Sequence, residues 1–238
     1  MITAKSGIIL ACDVETPEEL KSLVSVSQHC EGIVGLKIGF LMALRYGLPQ
    51  VVRDIKAISG LPVIYDHQKA GTDIPAMGGP FAALCAAAGL EGAIVFSHAG
   101  PRTLQSFVEA LNAEGVVPIV GAAMTHPAFL QSEGGYIADD APMMAYELAA
   151  DLGVRYYVIP GNKPDLASRL TKCISSRTDD CSVMMPGIGT QHGEIRSAFL
   201  AAGTCRKFAI IGSAIYRAPD PVAAARVFAQ EIKDCTSE

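Results

Sequence analysis

Eight short apolar runs, each followed by a longer amphipathic stretch, set the tightest limit on how this 238-residue chain can fold. The runs are Gly7–Cys12, Ile33–Ile38, Pro62–Tyr65, Ala93–Phe96, Val116–Gly121, Arg155–Ile159, Ser182–Met185 and Phe208–Ile211. Several are apolar throughout, as strands of a parallel sheet are when both faces are covered. The intervening stretches predict helices over 17–29, 41–58, 75–88, 101–113, 139–152, 164–175, 193–202 and 220–233. Thr16-Pro17-Glu18-Glu19 supplies a capping threonine, a proline at the first helical position and a glutamate three residues after the cap. Asp220-Pro221 repeats the cap and proline, and Gly89, Gly115 and Gly153 stand where helices should stop. No linker or change of composition divides the chain. Eight such units over residues 1–238 predict an α/β fold, a single-domain (β/α)8 TIM barrel. A doubly wound open sheet is the alternative. It calls for a glycine-rich dinucleotide turn after the first strand, and Cys12-Asp13-Val14-Glu15 is not one.

Composition narrows the function classes. Half of the residues are hydrophobic, enough to bury a sizeable core. A net charge of −5 with no basic run argues against nucleic acid as a partner, and the absence of tryptophan weakens any case for base stacking. The opening MITAKSGIILACD has an apolar run too short for a membrane span and no evident signal-peptide cleavage region. A cytoplasmic protein with no membrane association is expected. The seven cysteines include no C-x-x-C pair, so neither a zinc site nor a thioredoxin-like motif is indicated. Most are expected to be buried or partly buried free thiols in a reducing compartment.

A barrel of this kind places its active site at the C-terminal ends of the strands. Those ends are Asp13, Lys37, Asp66, Ser97-His98, Met124-Thr125-His126, Pro160-Gly161-Asn162, Pro186-Gly187 and Gly212-Ser213. Asp13, Lys37 and Asp66 close three successive strands and should project toward one another. The third of these strands opens into Asp66-His67-Gln68-Lys69-Ala70-Gly71-Thr72-Asp73, which adds a second lysine and a third acid. After the seventh strand comes Pro186-Gly187-Ile188-Gly189-Thr190-Gln191-His192-Gly193, and after the eighth Gly212-Ser213-Ala214-Ile215-Tyr216. Glycine turns at these two places let backbone N–H groups approach an anion, and they form the usual phosphate site of such barrels. His98 and His126 lack a ligand-spaced partner, so structural hydrogen bonding is expected of them rather than metal binding. His29 is expected at the surface.

Taken together, these residues resemble the orotidine 5′-monophosphate decarboxylase family over nearly the whole chain. The resemblance rests on Leu10-Ala11-Cys12-Asp13, Gly35-Leu36-Lys37-Ile38-Gly39, Asp66…Lys69…Asp73-Ile74-Pro75, Met124-Thr125-His126-Pro127, Pro186 to Gln191, and Ile211-Gly212 with Ala214-Ile215-Tyr216. It implies decarboxylation of orotidine 5′-monophosphate to uridine 5′-monophosphate without cofactor or metal, within pyrimidine biosynthesis. Lys37, Asp66, Lys69 and Asp73 would be catalytic, with Lys69 delivering the proton. Asp13 and Lys37 would meet the ribose hydroxyls and Thr125 the pyrimidine. Pro186, Gly187, Gly189, Gln191, Gly212 and Ser213 would surround the phosphate. The family also implies a homodimer in which Asp73 reaches the partner's site.

Two departures stand out. The family's D-x-K-x-x-D is here D-x-x-K-x-x-x-D, so the chain must bulge or turn after Asp66 for Lys69 to face the same site. Ser213 stands where the family usually has an arginine directed at phosphate, which leaves Arg217 as a possible substitute. Related sugar-phosphate barrels carry glutamate at the position of Lys37, used around magnesium, so a metal-dependent lyase or decarboxylase is the alternative enzyme. A non-catalytic nucleotide-binding barrel is the alternative outside enzymes.

Overall fold

The computed structural model describes residues 1–67, 73–189 and 194–236. Strands β1 (Ser6–Ala11), β2 (Ile33–Gly39), β3 (Val63–Asp66), β4 (Gly92–Phe96), β5 (Val117–Gly121), β6 (Tyr156–Val158), β7 (Ser182–Met185) and β8 (Arg206–Ile211) are all parallel and close into a barrel in chain order. The helices between them are α1 (Pro17–Ser25), α2 (Phe40–Tyr46), α3 (Leu48–Lys56), α4 (Gly78–Ala87), α5 (Pro101–Ala113), α6 (Ala141–Asp151), α7 (Pro164–Ser175), α8 (Ile195–Ala201), α9 (Ser213–Tyr216) and α10 (Pro221–Thr236). The open-sheet alternative is thereby excluded.

Local chemistry explains where the elements begin and end. Thr16 caps α1 by accepting from Glu19 N–H at 3.2 Å, while the Glu19 carboxylate accepts from Thr16 N–H at 3.0 Å. The helix expected over 41–58 is two helices. Gly47 breaks it in a left-handed backbone conformation (φ +79°), and Pro49 then opens the next turn. The stretch 17–29 ends its α-helix at Ser25 and continues as a 3-10 turn, and 75–88 begins with a 3-10 turn at Pro75–Met77.

Side chains alternate across the barrel wall. Ile9, Ala11, Ile64, Ile94, Ile119, Val158, Met184, Phe208 and Ile210 pack inside it. Their neighbours Ile8, Leu10, Val63, Tyr65, Val95, Val120, Val183 and Ala209 face the helices. At the N-terminal face the chain start plugs the barrel. Tyr156 Oη receives the Ile2 N–H at 3.2 Å, and Arg206 donates to the Ile2 carbonyl at 2.8 Å.

The cysteines depart in part from expectation. Cys12, Cys30 and Cys85 are buried and Cys173 and Cys235 partly buried, all five outside any disulfide, but Cys181 and Cys205 form one. Register accounts for the pair. Ser182 lies opposite Arg206 in the β7–β8 ladder, so the residues just before them are neighbours, with Cα atoms 4.9 Å apart. Among the described residues no helix is long and apolar enough to cross a membrane.

Candidate active site

The strand register brings Asp13, Lys37 and Asp66 together. Ala11 pairs with Lys37, and Gly39 pairs with Asp66, so all three polar residues occupy inward positions near the strand ends. The Lys37 ammonium lies 2.9 Å from Asp66 Oδ2 and donates to both Asp13 oxygens, at 3.2 and 3.3 Å. Lys37 and Asp66 are 3% and 2% exposed, so their charges are almost wholly removed from water, whereas the Asp13 side chain keeps 27% of its surface. Burial alone would pull the Lys37 pKa down; the charges of Asp66 and then Asp13 outweigh it and raise the value above the ordinary lysine range. Lys37 is therefore a fixed cation at neutral pH.

One feature of the cluster is incomplete. Asp66 Oδ1 is buried and has no hydrogen-bond partner among the described residues. A carboxylate oxygen in that state is costly unless something completes it, which is a reason to expect a ligand or another side chain beside it. Gly39 makes the cluster sterically possible, because a Cβ at that position would sit 2.5 Å from Asp13 Oδ1. Behind the cluster, the Cys12 thiol is pushed up to about 12 by burial, with Asp13 adding to the effect and Lys37 opposing it. It donates to the Leu10 carbonyl and is inert as a nucleophile.

These side chains open into a cavity of about 440 Å³ at the C-terminal mouth of the barrel. Asp13, Lys37, Asp66, Thr125, Pro186, Gly187, Gly212 and Ser213 all line it. Its far wall is set by contacts between loops. Asn162 donates to the Thr125 carbonyl at 3.0 Å, and Gly187 (φ +89°) packs so closely that a Cβ would touch both Asn162 and Thr125 at 3.0 Å. Lys163 bridges the His126 carbonyl and the Glu133 carboxylate, and its hydrogen bond holds Glu133 below the usual carboxylate range, helped by the N–H groups of Phe129 and Leu130. Gly212 lies against Ala11, letting the end of β8 close onto β1.

Other sequence-selected residues stand apart. Gly189 (φ +84°) packs against Ala214 and is not in the cavity wall. Asp73 is exposed, accepts from Ile74 N–H at 2.7 Å, and does not line the mouth of its own barrel. Lys69 and Gln191 lie outside the described residues, as does the bulge expected between Asp66 and Lys69. His67, the last described residue before it, points to the outer layer. Its N–H continues the ladder to the Ile94 carbonyl, and its ring lies 4.5 Å from that of Phe81. Arg217 lines a second cavity of about 400 Å³ on the β1 side, with its guanidinium 5.8 Å from the Tyr216 ring centre. His98 packs on Phe96 and Phe129, and His126 contacts the Pro127 carbonyl at 2.8 Å. Among the described residues no three His, Cys, Asp or Glu side chains converge as a metal-binding group. Tyr216 and Ile188, present in the sequence as parts of the turn motifs, and His126, expected only as a structural hydrogen-bonding residue, also line the mouth, while Lys163 and Glu133, to which the sequence assigns no role, brace it.

Comparison with known proteins places this geometry in context. The family model described as "Orotidine 5'-phosphate decarboxylase / HUMPS family" matches residues 6–228. A curated orotidine 5′-phosphate decarboxylase of Methanosarcina barkeri is 32% identical over 233 residues, covering 96% of both chains. One from Thermoplasma acidophilum is 31% identical over 230 residues, again covering 96% of each. Among solved structures, the orotidine 5′-monophosphate decarboxylase of Methanocaldococcus jannaschii complexed with the inhibitor BMP has the same fold, with a TM-score of 0.83 at 22% identity over 95% of this chain and 98% of that one. The orotidine 5′-phosphate decarboxylase of Pyrococcus horikoshii superposes with a TM-score of 0.77 at 25% identity, over 95% and 99%. A match of this length, carried by sequence as well as by fold, shows that the chain belongs to the orotidine 5′-phosphate decarboxylase / HUMPS family.

Proposed function

We propose that the protein converts orotidine 5′-monophosphate to uridine 5′-monophosphate and carbon dioxide, as a step of pyrimidine biosynthesis. The observation that carries this reading is the buried Lys37 held between Asp13 and Asp66, with Asp66 Oδ1 left incomplete at a cavity of nucleotide size. In the reaction the bond from the pyrimidine ring to its carboxylate breaks, carbon dioxide leaves, and the electron pair stays on the ring carbon. A nearby ammonium is needed to stabilise that charge and to supply the proton that replaces the carboxylate. Lys69 takes this role, and the fixed Lys37 holds Asp66 against the substrate carboxylate. Asp13 and Thr125 meet the ribose and the ring. The turns at Pro186–Gln191 and Gly212–Ser213 take the phosphate, whose binding energy helps organise the reacting end.

The same proposal includes a cytoplasmic homodimer in which Asp73 completes the neighbouring site. Its support is that Asp73 is exposed away from its own mouth cavity, beside exposed Ile74 and Met77. Lys37 also separates the two branches that the family model covers, because its ammonium already occupies the point between two acids where a divalent cation would bind. The deciding assay follows orotidine 5′-monophosphate by absorbance, with and without chelator. Turnover that survives the chelator and vanishes in Lys69→Ala, with the fold intact, is expected. Turnover lost to the chelator would favour the sugar-phosphate branch. Uridine 5′-monophosphate binding without any loss of substrate would mark a non-catalytic barrel, and near-normal turnover in Lys69→Ala would remove that residue from its role.

A further inference from the structure

Among the described residues, the wall of the mouth cavity is poor in positive charge for a ligand with a phosphate. Among the described residues, its ionised lining consists of Asp13 and Asp66 against Lys37, and Lys37 is already committed to both acids. The turns after β7 and β8 offer backbone N–H groups and the Ser213 hydroxyl, all neutral. The stretch 190–193, Thr-Gln-His-Gly, contains no lysine or arginine. A phosphate monoester carries nearly two negative charges at neutral pH. Neutral donors can orient it, but a guanidinium adds paired, charge-assisted hydrogen bonds.

Arg217 is a permanent cation that follows this gap closely in the chain, four residues after Ser213. It closes the single turn of α9, donating its N–H to the Ser213 carbonyl at 3.1 Å, so it sits one turn beyond a residue that lines the mouth. Its side chain is exposed and has no ion-pair partner among the described residues. The guanidinium lies over Tyr216, and Tyr216 forms part of the wall of both the mouth cavity and the adjoining 400 Å³ cavity. The acids of that second cavity are Asp13, Glu15 and Glu19; Asp13 pairs with Lys37, Glu19 accepts from the backbone N–H groups of Glu15 and Thr16, and the Arg217 guanidinium forms an ion pair with none of the three. We propose that Arg217 folds around the Tyr216 ring when ligand enters and pairs with its phosphate, which makes Arg217 the residue that sets selectivity for a phosphorylated nucleoside.

This inference rests on the nucleotide reading above, and the test separates the two. Inhibition constants for uridine 5′-monophosphate and for uridine are measured on wild type, Arg217→Gln and Arg217→Lys, with KM and kcat for orotidine 5′-monophosphate. In Arg217→Gln the nucleotide constant and KM should rise at least tenfold, while the uridine constant stays within twofold and kcat changes less than KM. Arg217→Lys should fall between. Nucleotide affinity unchanged in Arg217→Gln would overturn the role of Arg217 while leaving the decarboxylase reading intact. Equal weakening of nucleotide and nucleoside would also overturn it, because the side chain would then be supporting the wall and not the phosphate. A wild type that neither binds the nucleotide nor turns over the substrate would sink both.

Discussion

Gly39→Ala isolates the link between packing and chemistry at this site. Gly39 has φ −94° and ψ 176°, extended backbone that alanine adopts without strain. Replacing glycine at such a position stabilises a fold by about 0.4–1 kcal/mol through the unfolded chain. The added methyl, however, would stand 2.5 Å from Asp13 Oδ1. The Asp13 side chain is 27% exposed, so the clash resolves by shifting it toward the mouth and not by opening the barrel. What is lost is its pair of bonds to Lys37 at 3.2 and 3.3 Å. A hydrogen bond to a charged group contributes about 1.5–3 kcal/mol, so after the backbone gain the net loss of stability should be about 1–2 kcal/mol. Activity should suffer more, because a displaced Asp13 occupies the ligand's space: kcat/KM should drop roughly tenfold to a hundredfold, on the scale of about 1.4 kcal/mol per factor of ten. The assay is a cycle of wild type, Gly39→Ala, Asp13→Ala and the double variant. Since the methyl acts through Asp13, adding it to Asp13→Ala should cost nothing further. The same drop in both backgrounds, or wild-type activity in Gly39→Ala, would refute the reasoning.

Three further outcomes are expected. Lys37→Met leaves Asp66 as a buried charge without its cation and should cost about 3–5 kcal/mol in urea unfolding; adding Asp66→Asn should recover much of it, and a loss below about 1 kcal/mol would contradict the buried pair. Cys181→Ser opens a covalent loop whose ends are 24 residues apart, worth about 3.5 kcal/mol in the chain-entropy model, so it should lower the Tm by roughly 7–14 °C, and reductant should do the same to wild type but not to the variant. Burial lowers the pKa of His67, with Asp66 and Asp73 partly opposing, and burial lowers that of His98. A depressed folded-state histidine contributes stability that is present above the unfolded value of 6.5 and lost as pH falls through the folded one. His67→Phe, which keeps a ring against Phe81, should flatten the loss of stability between pH 7 and 5, and an unchanged slope would assign that loss to other groups. Lys37, raised in the fold, holds its charge throughout this window.

The fold was legible because the barrel's demands are local and repeated. Eight buried strands must be apolar and short, and proline, glycine and capping residues mark the helix ends. Helices 101–113 and 164–175 run over the expected residues because nothing inside them competes with the amphipathic pattern. The stretch 41–58 carries one continuous apolar pattern and so predicts one helix, whereas the break lies at Gly47, with Pro49 two residues later opening the second helix. The pairing of Cys181 with Cys205 was invisible for a different reason: it depends on the β7–β8 register, which no spacing within the chain specifies. Of the site, the convergence of Asp13, Lys37 and Asp66 could be read from strand ends alone. The bracing of the far wall by Asn162, Lys163 and Glu133 could not, because those contacts join loops about 30 to 37 residues apart through side chains whose direction the sequence does not state.

Register also explains why a lysine can stand between two acids at all. Ala11 faces Lys37 across β1 and β2, while Asp66 faces Gly39 across β2 and β3. Inward positions two residues apart form successive layers of the barrel, and neighbouring strands are staggered. Asp13, Gly39 and Asp66 therefore share one layer at the mouth, and Lys37 belongs to the layer beneath. Its long side chain rises between the two carboxylates, and Gly39 leaves the room that one of them needs, since a Cβ there would sit 2.5 Å from Asp13 Oδ1. Lys37-Ile38-Gly39 is thus a single device: the lysine supplies the charge, the outward Ile38 anchors the strand against the helices, and the missing Cβ leaves room for the Asp13 carboxylate that pairs with the lysine. The same geometry fixes the direction of Asp66. One of its oxygens is turned to Lys37, and the other is buried without a hydrogen-bond partner among the described residues.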